Sequence, residues 1–291
     1  MFRISGFVLR ILRPKPFFPL LNGVVGLMAA TDSHITRKNI LGVDFDLIDY
    51  ETVLSTIRSW KRKGRREYIS ITNPHSVLMC HRDKRMNEAT AKAALTLPDG
   101  VGIILAANLL GYDNCGRITG PMLMLKLCDL GRKYGLRHFF YGGSAGTAAR
   151  LAAKLTKKYP KLQVAGVCCP PFRTLSEPQD CEFIEEINSS KPDIVWIGLG
   201  APKQEIWMAD HLGRVDTAAM IGVGAAFDFH SGNTRWAPGW IRNAGLEWIW
   251  RFAHEPKRMW RRNLDSPLFL ARVIRQRFMT PSAVINKGRL Q

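Results

Sequence analysis

The sequence predicts an α/β fold: a Rossmann-like, mostly parallel sheet flanked by helices, with a basic helical appendage at the C-terminus. Short apolar segments of strand type alternate with helical segments of about 10–15 residues, which is the pattern of βαβ units. Many of the apolar segments end in turns rich in Gly, Pro, Asn or Asp. Beyond Gly245 the pattern changes, because Trp, Phe and Leu are interleaved with Arg and Lys.

A helix is predicted after each of the first six strands, as crossover connections between parallel strands require. The predicted strands are Ile40–Phe45, Glu67–Thr72, Ala94–Leu97, Arg137–Tyr141, Leu162–Cys168, Asp193–Gly198 and Ala218–Val223. The predicted helices are Glu51–Arg62, His75–Thr90, Val101–Leu110, Pro121–Tyr134, a helix from Gly146 to Tyr159, Gln179–Asn188 and Pro202–Leu212. After Gly245 we predict two or three short amphipathic helices, broken by Pro256 and Pro267.

Short connections leave no clear internal boundary before Gly232, so we predict one core domain over residues 39–245 and an appendage over 246–291. Residues 1–38 are predicted to be a basic amphipathic extension that lies on an anionic surface, with a poorly ordered terminus as the alternative. Within it, Phe17–Ala30 resembles a signal peptide. It is shorter than the ~20 residues that span a bilayer, and we expect it to be retained.

The net charge of +18 is concentrated at the two ends of the chain. From Arg235 onward there are 12 lysines and arginines against 3 acidic residues. Such basic ends imply an anionic partner, which by charge alone is nucleic acid, acidic lipid or a phosphorylated substrate. The six cysteines show neither a CxxC pair nor zinc-type spacing, so reduced thiols in a cytosolic protein are expected.

Polar residues directly after buried strands are the best candidates for a site, because ligands of open α/β sheets bind beyond the carboxyl ends of strands. Two stretches fit this description, Ile69 to Gly100 and Gly198 to Glu205. Asp99 stands out, since it follows a strand and precedes a helix whose N-terminal dipole favours a carboxylate. Taken alone, however, an aspartate after a strand is more commonly a helix cap, and Asn73 is explained as a turn residue.

Other motifs carry weaker signals. Asp44-Phe45-Asp46 matches the DxD with which many sugar-nucleotide transferases hold a divalent metal, but no further carboxylate or histidine cluster supports it. His75 and His81 do not share a helix face, so they are not expected to bind a metal together. The glycine-rich turn Gly142–Gly146 is an incomplete dinucleotide fingerprint, and a plain tight turn is the simpler interpretation.

Read in order, the strings TNPHSVL, LPDGVGI, GRITG, GLGAPKQE, IGVGAAFDFHSG, RWAPGW and GLEWIWRFAHEPKRMWRR resemble the WecG/TagA/CpsF family of bacterial glycosyltransferases. The resemblance covers about residues 39–265. It implies an inverting hexosyltransferase that uses no metal and no cofactor. Such enzymes move N-acetylmannosamine or a related sugar from a UDP donor to a polyprenyl-diphosphate-linked saccharide, in the synthesis of cell-envelope polysaccharides.

The resemblance also implies roles for individual residues. Asp99 would be the general base that takes the proton of the acceptor hydroxyl. Thr72 and Asn73 would line the sugar pocket, Arg117 would bind substrate phosphate or sugar, and Gln204 would position the donor. Each of these residues lies within one of the matching strings.

The remaining implied roles concern the nucleotide and its charge. Asp228 would sit near the uridine. Arg251, Arg258 and Arg261 would close over the site and neutralise the diphosphate leaving group in place of a metal. Their spacing of 7 and 3 puts them on one face if the helix is continuous. The aromatic, basic ends fit peripheral association with the inner face of the plasma membrane.

Several alternatives stay open at this stage. The donor sugar is not fixed, because relatives that use UDP-glucose or UDP-N-acetylmannosaminuronate share the same motifs. The oligomeric state, a homo-oligomer included, is not encoded in any motif. A basic nucleic-acid-binding protein is the rival class, but the charge lies at amphipathic ends rather than on a recognition helix or stacking sheet, so no nucleic-acid partner is expected. A catalytically silent membrane scaffold is a third interpretation.

Overall fold

The fold is described by a computed structural model for residues 37–112 and 116–279, without the side chains of residues 258 and 261–264. Residues 1–36 of the predicted extension 1–38, including Phe17–Ala30, lie outside the described residues, as do residues 280–291. The strands are β1 (Arg37–Ile40), β2 (Val43–Asp46), β3 (Glu67–Thr72), β4 (Leu95–Pro98), β5 (Arg137–Gly142), β6 (Gln163–Cys168), β7 (Ile194–Gly198) and β8 (Ala219–Gly222). Strands β3 to β8 form one parallel sheet in the order β4-β3-β8-β7-β5-β6, which confirms the predicted α/β class.

Helices connect successive strands of the sheet and continue beyond β8. They are α1 (Tyr50–Arg62), α2 (Pro74–Arg82), α3 (Lys84–Ala91), α4 (Val101–Leu109), α5 (Gly120–Leu130), α6 (Thr147–Lys158), α7 (Glu177–Ser189), α8 (Lys203–Asp210), α9 (Ala226–Ser231), α10 (Gly239–Asn243), α11 (Glu247–His254) and α12 (Pro256–Met279). A 3₁₀ turn, Gly131–Tyr134, follows α5. In the described part of the chain, none of these helices combines the length and apolarity required to cross a bilayer.

Strand β7 shows why the sheet is buried on both faces. Its sequence is a continuous apolar run, as expected for a parallel strand with helices above and below. Ile194 and Trp196 pack in the cluster that includes α1, α5 and α6. Val195 and Ile197 point the opposite way, into a cluster with α7 and α8. Each helical layer therefore rests on alternate residues of the same strand.

The first predicted strand, Ile40–Phe45, is wrong, because these residues form part of a separate antiparallel hairpin. Strands β1 and β2 are joined by a turn in which Leu41 and Gly42 both have positive φ, at 51° and 81°. Two such residues match the type I′ turn of a two-residue hairpin. Leucine rarely adopts this conformation, so the residue types at this position do not predict a turn.

The single predicted helix His75–Thr90 is also wrong, because it is two helices with a break at Asp83. Asp83 has extended backbone angles, and its carboxylate caps α3 by accepting a hydrogen bond from the Met86 N–H at 3.2 Å. An aspartate inside a helical pattern competes with the helix in this way.

The predicted break at Pro267 does not occur, since Pro267 lies inside the 24-residue helix α12. Of the two prolines predicted to break the appendage, only Pro256 marks a helix boundary, at the start of α12. Phe269 and Val273 of α12 are buried in a cluster with Val77 of α2 and Ile103 of α4. The second half of the predicted appendage therefore packs against the core, while the predicted domain boundary at 245 stays a prediction.

Candidate functional site at the carboxyl edge of the sheet

The parallel sheet brings all six strand ends to one edge, where the chain changes direction between β5 and β7. From β5 the chain runs to the neighbouring outer strand β6, and from β7 it runs the opposite way to β8. Such a switch point opens a crevice in α/β sheets. Here the two strand ends are very close, because the Gly143 N–H donates to the Gly198 carbonyl at 3.1 Å. A Cβ atom on Gly142 would lie 2.6 Å from the Gly198 carbonyl carbon.

Asp99 lies at this edge, one residue beyond β4. Its N–H donates to the Thr72 carbonyl at 3.0 Å, which extends the β3–β4 ladder past the last strand pair. The N-cap position of α4 is occupied by Gly100, with φ at +84°, and not by Asp99. The backbone of the half-buried Asp99 is therefore held at the strand end, one position before the N-cap residue of α4.

Thr72 and Asn73 follow β3 and differ in accessibility. Thr72 is fully buried, and its hydroxyl lies 3.0 Å from the Ser70 hydroxyl. Asn73 is half-buried and caps α2, because its Oδ1 accepts a hydrogen bond from the Ser76 N–H at 3.1 Å. The structure thus puts Asn73 at the surface beside Asp99 and Thr72 beneath it. Their contacts with a sugar stay predictions.

Tyr50, at the start of α1, joins this group and was missed by the sequence reasoning. Its hydroxyl donates to the Arg117 carbonyl at 3.4 Å. Burial raises the pKa of the Tyr50 hydroxyl, and the negative charge of Asp99 raises it further. Tyr50 therefore remains a neutral hydrogen-bond donor near Asp99 and Arg117. No motif marked this residue, which follows the ordinary helix cap Asp49.

Gln204 lies under the turn that follows β7. Its side chain is only 5% exposed. The Oε1 atom accepts a hydrogen bond from the Gly200 N–H at 3.2 Å, and the Nε2 atom donates to Glu205 Oε1 at 2.8 Å. In this structure Gln204 fixes the turn Gly198–Gly200, so any effect on a donor would pass through that turn.

Asp228 lies in the first turn of α9, beyond the end of β8. Its Oδ1 accepts a long hydrogen bond from Asn233 Nδ2 at 3.5 Å, and the same Nδ2 donates to Thr147 Oγ1 at 2.9 Å. Arg150 Nη2 also contacts Asn233 Oδ1, at 3.0 Å. Asp228 is thereby connected to the N-terminal turn of α6, which follows the Gly142–Gly146 turn at the switch point.

Three arginines and one tryptophan form a donor-rich cluster, which we call the arginine cluster. It comprises Arg117, Arg242, Arg251 and Trp236. Buried nitrogens with no hydrogen-bond acceptor among the described residues occur in all four side chains: the Nε atoms of the arginines, Nη2 of Arg251 and the indole Nε1 atom of Trp236. Buried donors are normally paired, and a concentration of unpaired ones suits an anionic ligand.

Stacking holds the arginine cluster together. The guanidinium carbon of Arg242 lies 3.7 Å from the Trp236 ring centroid, and Trp236 stacks on Phe229 at 6.1 Å. The Arg251 guanidinium lies 5.4 Å from the Phe229 ring. Flat contacts between guanidinium and aromatic groups orient the arginines while keeping their edges available for hydrogen bonds. Arg242 was missed by the sequence reasoning, although the RWAPGW string ends only two residues before it.

The condition for Arg251, Arg258 and Arg261 to share one helical face, a continuous helix, is not met. Helix α11 ends at His254, and Glu255 has non-helical backbone angles before α12 begins at Pro256. Arg251 therefore belongs to a different helix from the other two arginines. The side chains of Arg258 and Arg261 lie outside the described residues, so their roles stay predictions.

The DxD residues have structural partners. Asp46 is fully buried, accepts hydrogen bonds from the Thr96 N–H at 2.7 Å and pairs with Arg37 at 3.0 Å. Burial raises the pKa of Asp46, although both contacts oppose this. Asp44 accepts from Asn39 Nδ2 at 2.7 Å. Within the described ranges, no group of three or more histidine, cysteine or acidic side chains is arranged to hold a metal.

Helices α10 to α12 also expose large apolar side chains, beside the cluster's arginines. Trp240 is 71% and Trp248 is 53% exposed, and Phe252 and Ile249 are exposed as well. Isolated exposed apolar residues are ordinary, but several aromatic ones on consecutive basic helices are typical of an interfacial surface.

The sequence of this chain is similar to those of several known proteins. Three similar proteins carry the name N-acetylglucosaminyldiphosphoundecaprenol N-acetyl-beta-D-mannosaminyltransferase. The protein from Bacillus spizizenii is 29% identical over 233 residues, which cover 80% of this chain and 88% of that protein. The one from Bacillus subtilis is 28% identical over 209 residues, covering 72% and 79%. The one from Staphylococcus aureus strain MRSA252 is 26% identical over 245 residues, covering 83% and 93%.

The sequence model of one family matches residues 38–283, which include every strand of the parallel sheet and all of the candidate site. The extent of this match decides the assignment: the chain belongs to the glycosyl transferase WecG/TagA/CpsF family.

Proposed function

We propose that this protein transfers N-acetylmannosamine from a UDP donor to N-acetylglucosaminyl-diphosphoundecaprenol. The observation that carries the proposal is the combination of family membership with a carboxylate, Asp99, at the same sheet edge as the arginine cluster. The relatives' names supply the two sugars and the lipid carrier. The alternatives with the same fold are UDP-glucose and UDP-N-acetylmannosaminuronate as donors.

In the proposed reaction Asp99 is the general base. The acceptor hydroxyl oxygen attacks the anomeric carbon of the donor sugar while its proton passes to the Asp99 carboxylate. The bond between that carbon and the diphosphate oxygen breaks, and UDP leaves with the electron pair. A single displacement of this kind inverts the anomeric centre. General base catalysis contributes about 10²–10⁴ in rate.

The arginine cluster would take up the negative charge that develops on the departing diphosphate. Arg251 and Arg242 present buried N–H donors that have no acceptor among the described residues. Arg117 is attached to α11 by Glu247 and so links the cluster to the segment after β4. Preorganised cationic donors stabilise a leaving phosphate much as a divalent cation does, which supports a reaction without a metal.

Donor recognition would involve the ends of β3, β7 and β8. The amide nitrogen of Asn73 is the part of that side chain not used by the helix cap, so it can donate to a sugar hydroxyl. Gln204 would shape the turn after β7 against the donor, and Asp228 would accept hydrogen bonds from the uridine. Thr72 would support Asn73 from below.

The acceptor's lipid implies a membrane surface. The exposed aromatic residues Trp240, Trp248 and Phe252 lie on helices that also carry basic side chains. We propose that this surface lies peripherally on the anionic inner face of the plasma membrane. Exposed apolar side chains would enter the headgroup region while the carboxyl edge of the sheet faces the lipid diphosphate.

One assay tests the proposal directly. The protein is incubated with a short-chain lipid diphosphate carrying N-acetylglucosamine and, in parallel, with each of the three UDP-sugars. We expect a product heavier by one N-acetylhexosamine with UDP-N-acetylmannosamine, and turnover that survives EDTA. If product forms only with UDP-glucose or only with UDP-N-acetylmannosaminuronate, that sugar nucleotide is the donor instead of UDP-N-acetylmannosamine. No product with any donor would overturn the function, and loss of turnover in EDTA would overturn its metal independence.

A further inference from the structure

Two buried polar side chains lie in the first turn of α8, beneath the turn that follows β7. Gln204 is 5% and Glu205 only 1% exposed, whereas Ala201, in the turn itself, is exposed. Gln204 Nε2 donates to Glu205 Oε1 at 2.8 Å. Burying a carboxylate costs free energy even when it is hydrogen-bonded, and an apolar side chain would fill the same space without that cost. Packing alone therefore does not explain a glutamate at this position.

Gln204 is tied to the turn by two reciprocal hydrogen bonds with Gly200. The Gln204 N–H donates to the Gly200 carbonyl at 3.0 Å, and the Gly200 N–H donates to Gln204 Oε1 at 3.2 Å. The second bond requires the amide oxygen of the side chain, and not its amide nitrogen, to face Gly200. The opposite orientation would put two donors against each other and leave the Gly200 N–H without its acceptor.

Glu205 selects between these two orientations of the amide. A carboxylate oxygen only accepts hydrogen bonds, so Glu205 Oε1 pairs with the amide nitrogen of Gln204 and cannot pair with its amide oxygen. The nitrogen is thereby held towards Glu205, and the oxygen faces the Gly200 N–H. Glu205 and Gly200 therefore reinforce one another through the two ends of a single amide group.

The same amide also meets the end of β8. A Cβ atom on Gly222 would lie 2.9 Å from Gln204 Nε2, and one on Gly224 would lie 3.4 Å from Gln204 Oε1. The amide thus occupies the space that these two glycines leave open, between β8 and the turn after β7. Gly224 leads into α9, whose first turn carries Asp228. One amide group therefore sets the spacing between two segments that the proposed function assigns to the donor.

We infer that Glu205 is a positioning residue for donor binding: by accepting the hydrogen bond of Gln204 Nε2, it fixes the amide that holds the turn Gly198–Gly200 and the end of β8 against the UDP part of the donor. The inference rests on the proposed function, which assigns these strand ends to the donor. It adds a residue that acts only through Gln204, because Glu205 itself is buried beneath the turn.

The test measures the dissociation constant of UDP for the full chain by calorimetry at pH 8, without acceptor, so that binding is seen apart from turnover. Glu205→Met keeps the length of the side chain but removes its oxygen acceptors, whereas Glu205→Gln keeps one of them. Asp210→Asn is the matched control, because Asp210 also lies on α8 and forms an exposed ion pair with Arg85. Michaelis constants for UDP-N-acetylmannosamine and for the lipid acceptor are measured in parallel.

We expect Glu205→Met to raise the dissociation constant of UDP and the donor KM about tenfold, the usual scale for losing a hydrogen bond to a charged group. The kcat and the acceptor KM should stay within about twofold, since Glu205 acts on donor binding only. Glu205→Gln should stay within about threefold of the wild type, because its amide oxygen accepts the same hydrogen bond. The control should match the wild type.

An exchange of the two side chains gives a second, independent test. Gln204→Glu alone puts two carboxylates where Gln204 Nε2 and Glu205 Oε1 meet at 2.8 Å, so the dissociation constant of UDP should rise about tenfold or more. In the double variant Gln204→Glu/Glu205→Gln, the amide at position 205 can donate to the carboxylate at position 204, whose other oxygen accepts from the Gly200 N–H. The double variant should therefore recover UDP affinity to within about threefold of the wild type.

A purely structural role of Glu205 gives a different result. If Glu205→Met lowers the melting temperature and leaves UDP affinity unchanged, or if the double variant binds UDP no better than Gln204→Glu, the inference is overturned. Equal shifts in the donor and acceptor KM also overturn it. Should Glu205→Met not fold, Gln204→Glu and the double variant decide alone, since they keep the size of both side chains. A wild type that does not bind UDP refutes the proposed function, whereas a wild type and variants that bind UDP equally refute only the inference.

Discussion

Arg117 Nη2 lies 3.3 Å from Glu247 Oε2, and Arg117 Nη1 donates to the Arg242 carbonyl at 2.9 Å. One side chain thus connects the segment after β4 with α10 and α11. Both partners of the ion pair are largely shielded from water, which makes the contact stronger than an exposed pair. Arg117 therefore has a structural task, attaching α11, in addition to the substrate contact that the sequence predicts.

The first prediction concerns this attachment. Glu247→Gln keeps the shape of the side chain but removes its charge, so α11 should be held less firmly over the strand ends. We expect kcat/KM for the lipid acceptor to fall about tenfold. Asp216→Asn, which removes an equivalent charge from an exposed pair with Arg66, is the control. Equal activities of the two variants would show that the contact has no role in transfer.

The second prediction concerns the base. Asp99→Asn retains the size of the side chain and cannot accept a proton, so kcat should fall by about 10²–10⁴. UDP affinity, measured by calorimetry, should change by less than about twofold, because the carboxylate would contact the acceptor hydroxyl and not the nucleotide. Unchanged turnover would remove Asp99 from its role, and a parallel loss of UDP binding would reassign it to the donor.

The third prediction concerns charge neutralisation by Arg251. Inorganic pyrophosphate should inhibit the wild-type protein by occupying the arginine cluster. In Arg251→Gln the inhibition constant should rise about tenfold, since charge-assisted hydrogen bonds to a phosphate are lost. Arg66→Gln removes an exposed guanidinium elsewhere and should leave inhibition unchanged. If pyrophosphate inhibits Arg251→Gln and Arg66→Gln with similar constants, Arg251 does not contact the diphosphate of the donor.

The parallel sheet and the position of Asp99 were predictable from sequence because both depend on local patterns. Apolar runs such as Ile194–Gly198 are long enough to identify buried strands, and the polar residues after them fall at one edge by topology alone. The Leu41–Gly42 turn and the helix break at Asp83 were missed for the opposite reason. In each case the backbone conformation depends on tertiary contacts. One such contact is the hydrogen bond from the Leu41 N–H to Gln276.

The arginine cluster was only partly predictable. Arg117 and Arg251 were found through the family resemblance, whereas Arg242 acquires its place by stacking on Trp236. Nothing in a single sequence shows which aromatic ring an arginine will cover.

The fourth prediction concerns the close approach of β5 and β7. A Cβ on Gly142 would lie 2.6 Å from the Gly198 carbonyl carbon, and Gly142 has φ of +132°. Gly142→Ala should therefore lower the free energy of unfolding by about 2–3 kcal/mol. Gly213→Ala has positive φ but open space around the new methyl group, so it should cost only the conformational part, about 1 kcal/mol. The free energies of unfolding are measured in urea. Equal decreases for Gly142→Ala and Gly213→Ala would show that the close approach of β5 and β7 does not determine the cost of a side chain at Gly142.

The last prediction concerns two buried histidines. Burial lowers the pKa of His138 and of His230 to about 4 in the folded protein, against about 6.5 in the unfolded chain. Between these values only the unfolded state takes up the proton. The contribution of each neutral, buried histidine to the free energy of unfolding is therefore fully present above about pH 6.5. It decreases as the pH falls towards 4, and at pH 5 the decrease is about 2 kcal/mol for each histidine.

The measurement is urea unfolding at several pH values for the wild type and for His138→Gln. Glutamine cannot be protonated, and its carbonyl oxygen can still accept the hydrogen bond that Trp196 Nε1 donates to His138 Nδ1 at 3.1 Å. The variant should lose less stability than the wild type between pH 7 and pH 5, by about 2 kcal/mol. Carboxylates contribute equally to both proteins, so parallel pH curves would mean that His138 is already protonated in the folded state or remains neutral in both states.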